Sequence, residues 1–199
     1  LVGGVSMELT TSEVKTSTKT EVTSRTVGFT LADDDIGDNF TVNILNDKAY
    51  GTPVFKLVSG QSSCPYEPNT QNRDEVALAV DRVQAVNVPA NDAAVFKFTL
   101  GNISPSEELR NYMLFLGAES NPLGAVVKAN GANLSSPLGY QILYGQEQEV
   151  TVTVERGPSG AYDYEDLEIA LFVQCHDERA TALGFGPEED PRFYKAIFI

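Results

Sequence analysis

Apolar and polar residues alternate along most of this chain, and a period of two predicts strands rather than helices. In "NFTVNIL", Phe40, Val42 and Ile44 share one face, and "TPVFKLVSG" does the same with Phe55 and Leu57. "EVALAVDRV" turns Val76, Leu78 and Val80 one way, and "AAVFKFTLGN" turns Phe96, Phe98 and Leu100 inward. "RNYMLFLGA" offers Tyr112, Leu114 and Leu116, and "QEVTVTVERG" offers Val150, Val152 and Val154. "DLEIALFVQC" contributes Leu167, Ile169, Leu171 and Val173; "GYQILYG" and "RFYKAIFI" are also strand-like. Nearer the start, Val14 to Thr26 alternates β-branched with charged residues, as one long strand or two joined strands. At Val27, Phe29 and Leu31 the apolar parity switches, which predicts a bulge or a change of sheet.

Between the runs lie turn residues, among them Gly60, Pro89, Pro105, Asn121-Pro122, Asn130-Gly131 and Gly157-Pro158. Strands spaced by such turns predict an all-β antiparallel sandwich of about ten strands. Helical periodicity is scarce. "PSEELRNYMLFL" begins like a capped helix, and "CHDERATALGFG" is the other place for a short helical turn. The expected organisation is a single domain over 1–199, with a division into two β-modules near 121–145 as the alternative.

Charge narrows the partners. With 28 acidic and 14 basic residues the formal net charge is −14. Such a surface repels phosphate backbones and anionic membranes, so nucleic acid is an unexpected partner. No apolar run approaches the ~20 residues a membrane-spanning helix needs, so no membrane insertion is expected. "LVGGVSMELTT" lacks the basic and long apolar regions of an intact signal peptide, and the chain reads as a processed or excised piece.

The stretch "TLADDDIGDNFTV" is the densest chemical feature. Asp33, Asp34, Asp35 and Asp38 surround Gly37. Four carboxylates so close repel one another unless they are solvated or neutralised, and calcium is the candidate ion. An EF-hand is excluded: counted from Asp33, the fifth position is Gly37 and the twelfth is Ile44. A calcium site would need more oxygens, from "YDYED" (Asp163, Glu165, Asp166) or "PEED" (Glu188, Glu189, Asp190). The alternative is a hydrated hairpin turn in which Gly37 supplies a positive φ.

Other chemistry is thin. His176 is the single histidine, which removes a multi-histidine zinc site and weakens a Ser-His-Asp reading. "SGQSSC" lacks the spacing of a nucleophile elbow. Acids abound for a hydrolase built on paired carboxylates, but nothing selects a pair. With no tryptophan, a sugar cleft would rely on loop tyrosines such as Tyr66, Tyr162 and Tyr164, whose other role is packing at loop edges. Asn39, Asn102 and Asn133 head glycosylation sequons, which matter only in a secreted protein. Cys64 and Cys175 fit no metal or redox spacing. They form either one disulfide around a loop of roughly 110 residues, worth about 4–5 kcal/mol in the chain-entropy model, or two buried thiols. The end of an apolar strand and a turn-rich loop suit the disulfide better.

"VPANDAAVFKFTLGNIS" resembles a strand pair of immunoglobulin-like modules in secreted and cell-surface proteins. "DDDIGDNFTVNI", "YGTPVFKLVSGQSSCPYEPNTQNRDE" and "ERGPSGAYDYEDLEIALFVQC" are similar to blocks in β-sandwich modules of very large extracellular bacterial proteins. The resemblance spans Asp33 to Cys175 in patches. It implies an immunoglobulin-like or jelly-roll-like sandwich at the cell surface or outside the cell, with a structural or adhesive role and no assigned reaction. It also marks Cys64 and Cys175 as positions to test for pairing. The expected function is therefore a non-catalytic module of a larger surface protein or polymeric fibre. Its partners would be neighbouring modules or identical subunits, met through edge strands and termini. The alternative is a calcium-dependent carbohydrate-binding module, with glycans as partners.

Overall fold

A computed structural model of the chain describes residues 3–14, 22–33, 37–64, 66–175 and 192–199, the first two runs as backbone. Its contacts fall into two compact units, Leu1–Gln61 and Ser62–Ile199.

The first unit is built from two hairpins. β1 (Gly3–Val14) pairs antiparallel with β2 (Val22–Asp33), from Gly3 opposite Asp33 to Val14 opposite Val22. The expected break at the parity switch is absent: the register runs through Val27–Leu31 without a bulge. A two-stranded ladder is held by backbone bonds, which do not depend on which face a side chain occupies. β3 (Asn39–Asn46) pairs with β4 (Pro53–Ser62), with a register shift at Thr41/Val42. Phe40, Val42 and Ile44 are half-buried and their neighbours exposed, as the alternation predicts.

The second unit is an antiparallel β-sandwich. After the short β5 (Gln71–Asn72), which belongs to neither of its sheets, its strands are β6 (Val76–Val80), β7 (Ala94–Asn102), β8 (Arg110–Leu116), β9 (Val126–Ala129) and β10 (Ala132–Asn133). They continue as β11 (Leu138–Ile142), β12 (Glu147–Glu155), β13 (Glu168–Val173) and β14 (Tyr194–Phe198). One sheet runs β10-β9-β12-β7-β6 and the other β11-β8-β13-β14. If β6 to β9 are lettered A to D and β12 to β14 E to G, the sheets read ABED and CFG, the strand order of an immunoglobulin constant-type sandwich. β10 and β11 are additions at the far edges. Beside the opposite edge, Val76 N–H donates to Arg192 C=O at 3.0 Å, tying β6 to the residues just before β14.

The core follows from the alternation. Phe96, Phe98 and Leu100 of β7 and Val150, Val152 and Val154 of β12 meet Tyr112 and Leu114 of β8 and Ile169, Leu171 and Val173 of β13. β13 is buried on both faces, because Phe172 on its other side packs edge-on against Phe115, 5.4 Å between ring centres. The β9–β10 hairpin turns on Asn130 and Gly131, both at positive φ, the two-residue turn that Asn-Gly favours.

The helix expected from "PSEELRNYMLFL" does not form. Residues 105–109 are loop, and β8 starts at Arg110. The Ser106 hydroxyl does not cap a helix but donates to Asp74, and Glu107 adopts a positive φ. The other helical expectation lies mostly outside the described residues, beyond Cys175. Among the described residues of the second unit, the 3-10 turn Ala118–Ser120 interrupts the strands.

Candidate functional site

The two ends of the sandwich differ in chemistry. One end gathers the start of the unit, the β7–β8 loop and the end of β13. Here Cys64 and Cys175 form a disulfide, with Cα atoms 5.8 Å apart. Beside it, Asp74 is fully buried. Its carboxylate accepts the Cys64 N–H at 3.0 Å, the Ser106 hydroxyl at 2.8 Å and the Nε–H of Arg110. Arg110, itself almost buried, places Nη2 2.6 Å from a Glu108 carboxylate oxygen. Burial works against the guanidinium charge, but Asp74, with Glu108, outweighs it and holds the Arg110 pKa above its ordinary value.

Tyr66 places its hydroxyl in this cluster. Burial pushes its pKa far up, and the neighbouring Asp74 adds its charge and a hydrogen bond in the same direction. Tyr112 is raised chiefly by burial; its hydroxyl donates to Glu75 C=O at 3.0 Å and lies 3.2 Å from the Ser104 hydroxyl. Asn102 completes the lattice, its amide donating to Glu108 C=O and Ile142 C=O, each at 2.8 Å. The Arg110–Asp74, Tyr112–Glu75 and Asn102–Glu108 contacts tie loops to the strands, and the Cys64 and Ser106 bonds to Asp74 tie loop to loop. The cluster holds a charged pair without an open face, so its chemistry is that of an anchor.

The opposite end is open. The β6–β7 loop (residues 81–93) and the β12–β13 loop (156–166) enclose a groove of about 570 Å³. Its buried and half-buried lining comes from Ala94 and Phe96 of β7, Val154 of β12, and Leu167 and Ile199, which pair by backbone bonds just beyond β13 and β14. Its rim carries Val83, Val86 and Tyr162, which are 59%, 66% and 68% exposed. The β12–β13 loop is pinned from within. Tyr164 Oη accepts the Gly157 N–H at 2.8 Å and donates to Ala161 C=O at 3.2 Å. Arg156 donates to Gly160 C=O at 2.8 Å and lays its guanidinium 3.9 Å over the Tyr162 ring. Gly157 is required there, because a Cβ would sit 1.7 Å from Gly124 C=O.

Some of the residues singled out from sequence fall among the described ones and some do not. Asp33 is the last residue of β2, and Asp38 is half-buried just before β3. Asp34, Asp35, Glu188, Glu189, Asp190 and His176 lie outside the described residues. Gly37 does have a positive φ, as a turn residue should. Asp163 and Glu165 line the groove. Among the described residues, no three His, Cys, Asp or Glu side chains converge as a metal ion would need. Of the three tyrosines considered as platforms, Tyr66 has a buried hydroxyl, Tyr164 is a loop anchor and Tyr162 is exposed. Of the sequons, Asn39 and Asn133 are exposed, whereas Asn102 is fully buried with its amide engaged. Sequence reasoning missed the Asp74–Arg110 pair, whose partners stand 36 residues apart with no motif linking them.

No family model matches the chain, and no curated protein matches it.

Proposed function

We propose that the protein is a non-catalytic, extracellular structural or adhesive module that carries load between its neighbours in a larger chain or fibre. The observation that supports this most is the placement of the disulfide. Cys64 lies two residues into the second unit, and Cys175 follows β13, the strand between β8 and β14. A pull along the chain then passes from Cys64 directly to Cys175 and bypasses β5 to β13. The bond also favours an oxidising compartment, and the acidic surface suits an extracellular one. Similarity to modules of large extracellular bacterial proteins points the same way, with contacts to neighbours through edge strands and termini.

Single-molecule stretching between the two ends tests the reading. Reduction frees the 111-residue separation between the cysteines, so the unfolding extension grows by about 390 Å, at roughly 3.5 Å per residue. Equal extensions with and without reductant would sink the load path. Two free thiols in protein alkylated inside its own cells would sink the extracellular assignment. Substrate turnover abolished by mutating one carboxylate would sink the non-catalytic part.

A further inference from the structure

We infer that the groove between the β6–β7 and β12–β13 loops is a binding site for a neutral oligosaccharide, with Tyr162 as the stacking platform. The inference does not rest on the load-bearing reading, since the groove lies at the end of the sandwich away from the disulfide.

The chemistry of the lining selects the ligand. Arg156 covers one face of the Tyr162 ring and is itself held by Gly160 C=O, so the ring is braced before any ligand arrives. The side chain is 68% exposed, which leaves apolar ring surface for the C–H face of a pyranose. The groove is also lined by Gln84, Asn87, Asp92, Asp163 and Glu165. Their amide and carboxylate planes each offer paired hydrogen-bonding atoms, which suit neighbouring hydroxyls on a sugar ring. Three carboxylates against the one guanidinium of Arg156 disfavour anionic ligands such as uronic acids or phosphates. An extended peptide joining by strand addition has no place here, because β7 and β12, which help line the groove, are inner strands of their sheet rather than an open edge. A braced loop also lowers the ordering cost of binding.

The test uses the whole disulfide-bonded chain. Short neutral β-glucan, α-mannan and chitin oligosaccharides are titrated at up to about millimolar concentration, followed by calorimetry and NMR shifts. At least one should bind with shifts centred on 156–165, and Tyr162→Ala should weaken it about tenfold or more at an unchanged melting temperature. Arg156→Ala should weaken it less, by releasing the ring. Binding should persist in EDTA. The proposal is overturned if no neutral probe binds, or if only sulfated or uronic oligosaccharides do. Binding that survives Tyr162→Ala, or that EDTA abolishes, would also overturn it by placing the site elsewhere. So would peptides selected from a random library that need Tyr162 when no glycan binds. Loss of glycan binding leaves the stretching result untouched, so the two readings fail separately.

Discussion

The two ends of the sandwich solve opposite problems with similar residues. At the disulfide end, Asp74, Arg110, Tyr66 and Tyr112 are drawn inside and their polar atoms meet one another. At the groove end, Asp163, Arg156 and Tyr162 stay in solvent, and the β12–β13 loop is held by bonds from the Arg156 and Tyr164 side chains to its own backbone. A buried charge pair punishes removal of either partner, whereas an exposed pair tolerates it. The difference teaches that composition alone does not mark an anchor or a recognition surface; burial does.

The largest effect should come from the covalent link. Cys64→Ser with Cys175→Ser is expected to lower unfolding stability by about 4–5 kcal/mol, read from guanidinium midpoints beside the reduced wild type. A loss below about 1 kcal/mol would remove the disulfide end's claim to be the anchor.

Next comes the buried pair. Asp74→Ala strands Arg110 and should cost about 3–5 kcal/mol, while Asp74→Leu with Arg110→Met should recover only part of that, because the Cys64 N–H and the Ser106 hydroxyl still lose their acceptor. If the single substitution were as mild as a surface change, the two ends would not differ in kind.

The third effect is a pH dependence. Tyr66 and Tyr112 have folded pKa values raised above the free tyrosine value of about 10, with burial the first cause in each. The folded state therefore favours the protonated phenols. Their contribution is fully present below pH ~10 and is lost as pH rises beyond it. Urea unfolding from pH 8 upward should show this decline, and Tyr66→Phe should flatten it. An unchanged slope would mean the phenols are not held as described.

The smallest effects belong to the groove. Val86→Ser and Tyr162→Ala should each shift stability by no more than about 0.5 kcal/mol, since both side chains are largely in solvent. A larger loss would make the groove a structural seam.

Much of the sandwich was legible in the chain. The inward faces of β7, β8, β12 and β13 were readable because alternation is a local property, set by neighbours two residues apart. So was the Asn130-Gly131 turn, because few residues accept its dihedrals. The misreading at residues 105–109 has the same root. Ser106 and the glutamates form a local helix signal, but a buried carboxylate from 32 residues away claims the hydroxyl. The candidate sites were hardly legible at all. Tyr66, Tyr162 and Tyr164 look alike in sequence, and only their surroundings separate a buried phenol, a loop anchor and an exposed ring.

By itself, then, the sequence determined an all-β antiparallel sandwich, its inward-facing residues and an acidic surface, since pattern and charge need no partner to be read. The tertiary structure alone decided that Cys64 meets Cys175, that Asp74 meets Arg110, that the Asn102 sequon is sealed and that two distant loops enclose a groove. Each of these joins side chains far apart along the chain, and only the closing of two sheets over one core brings them within reach.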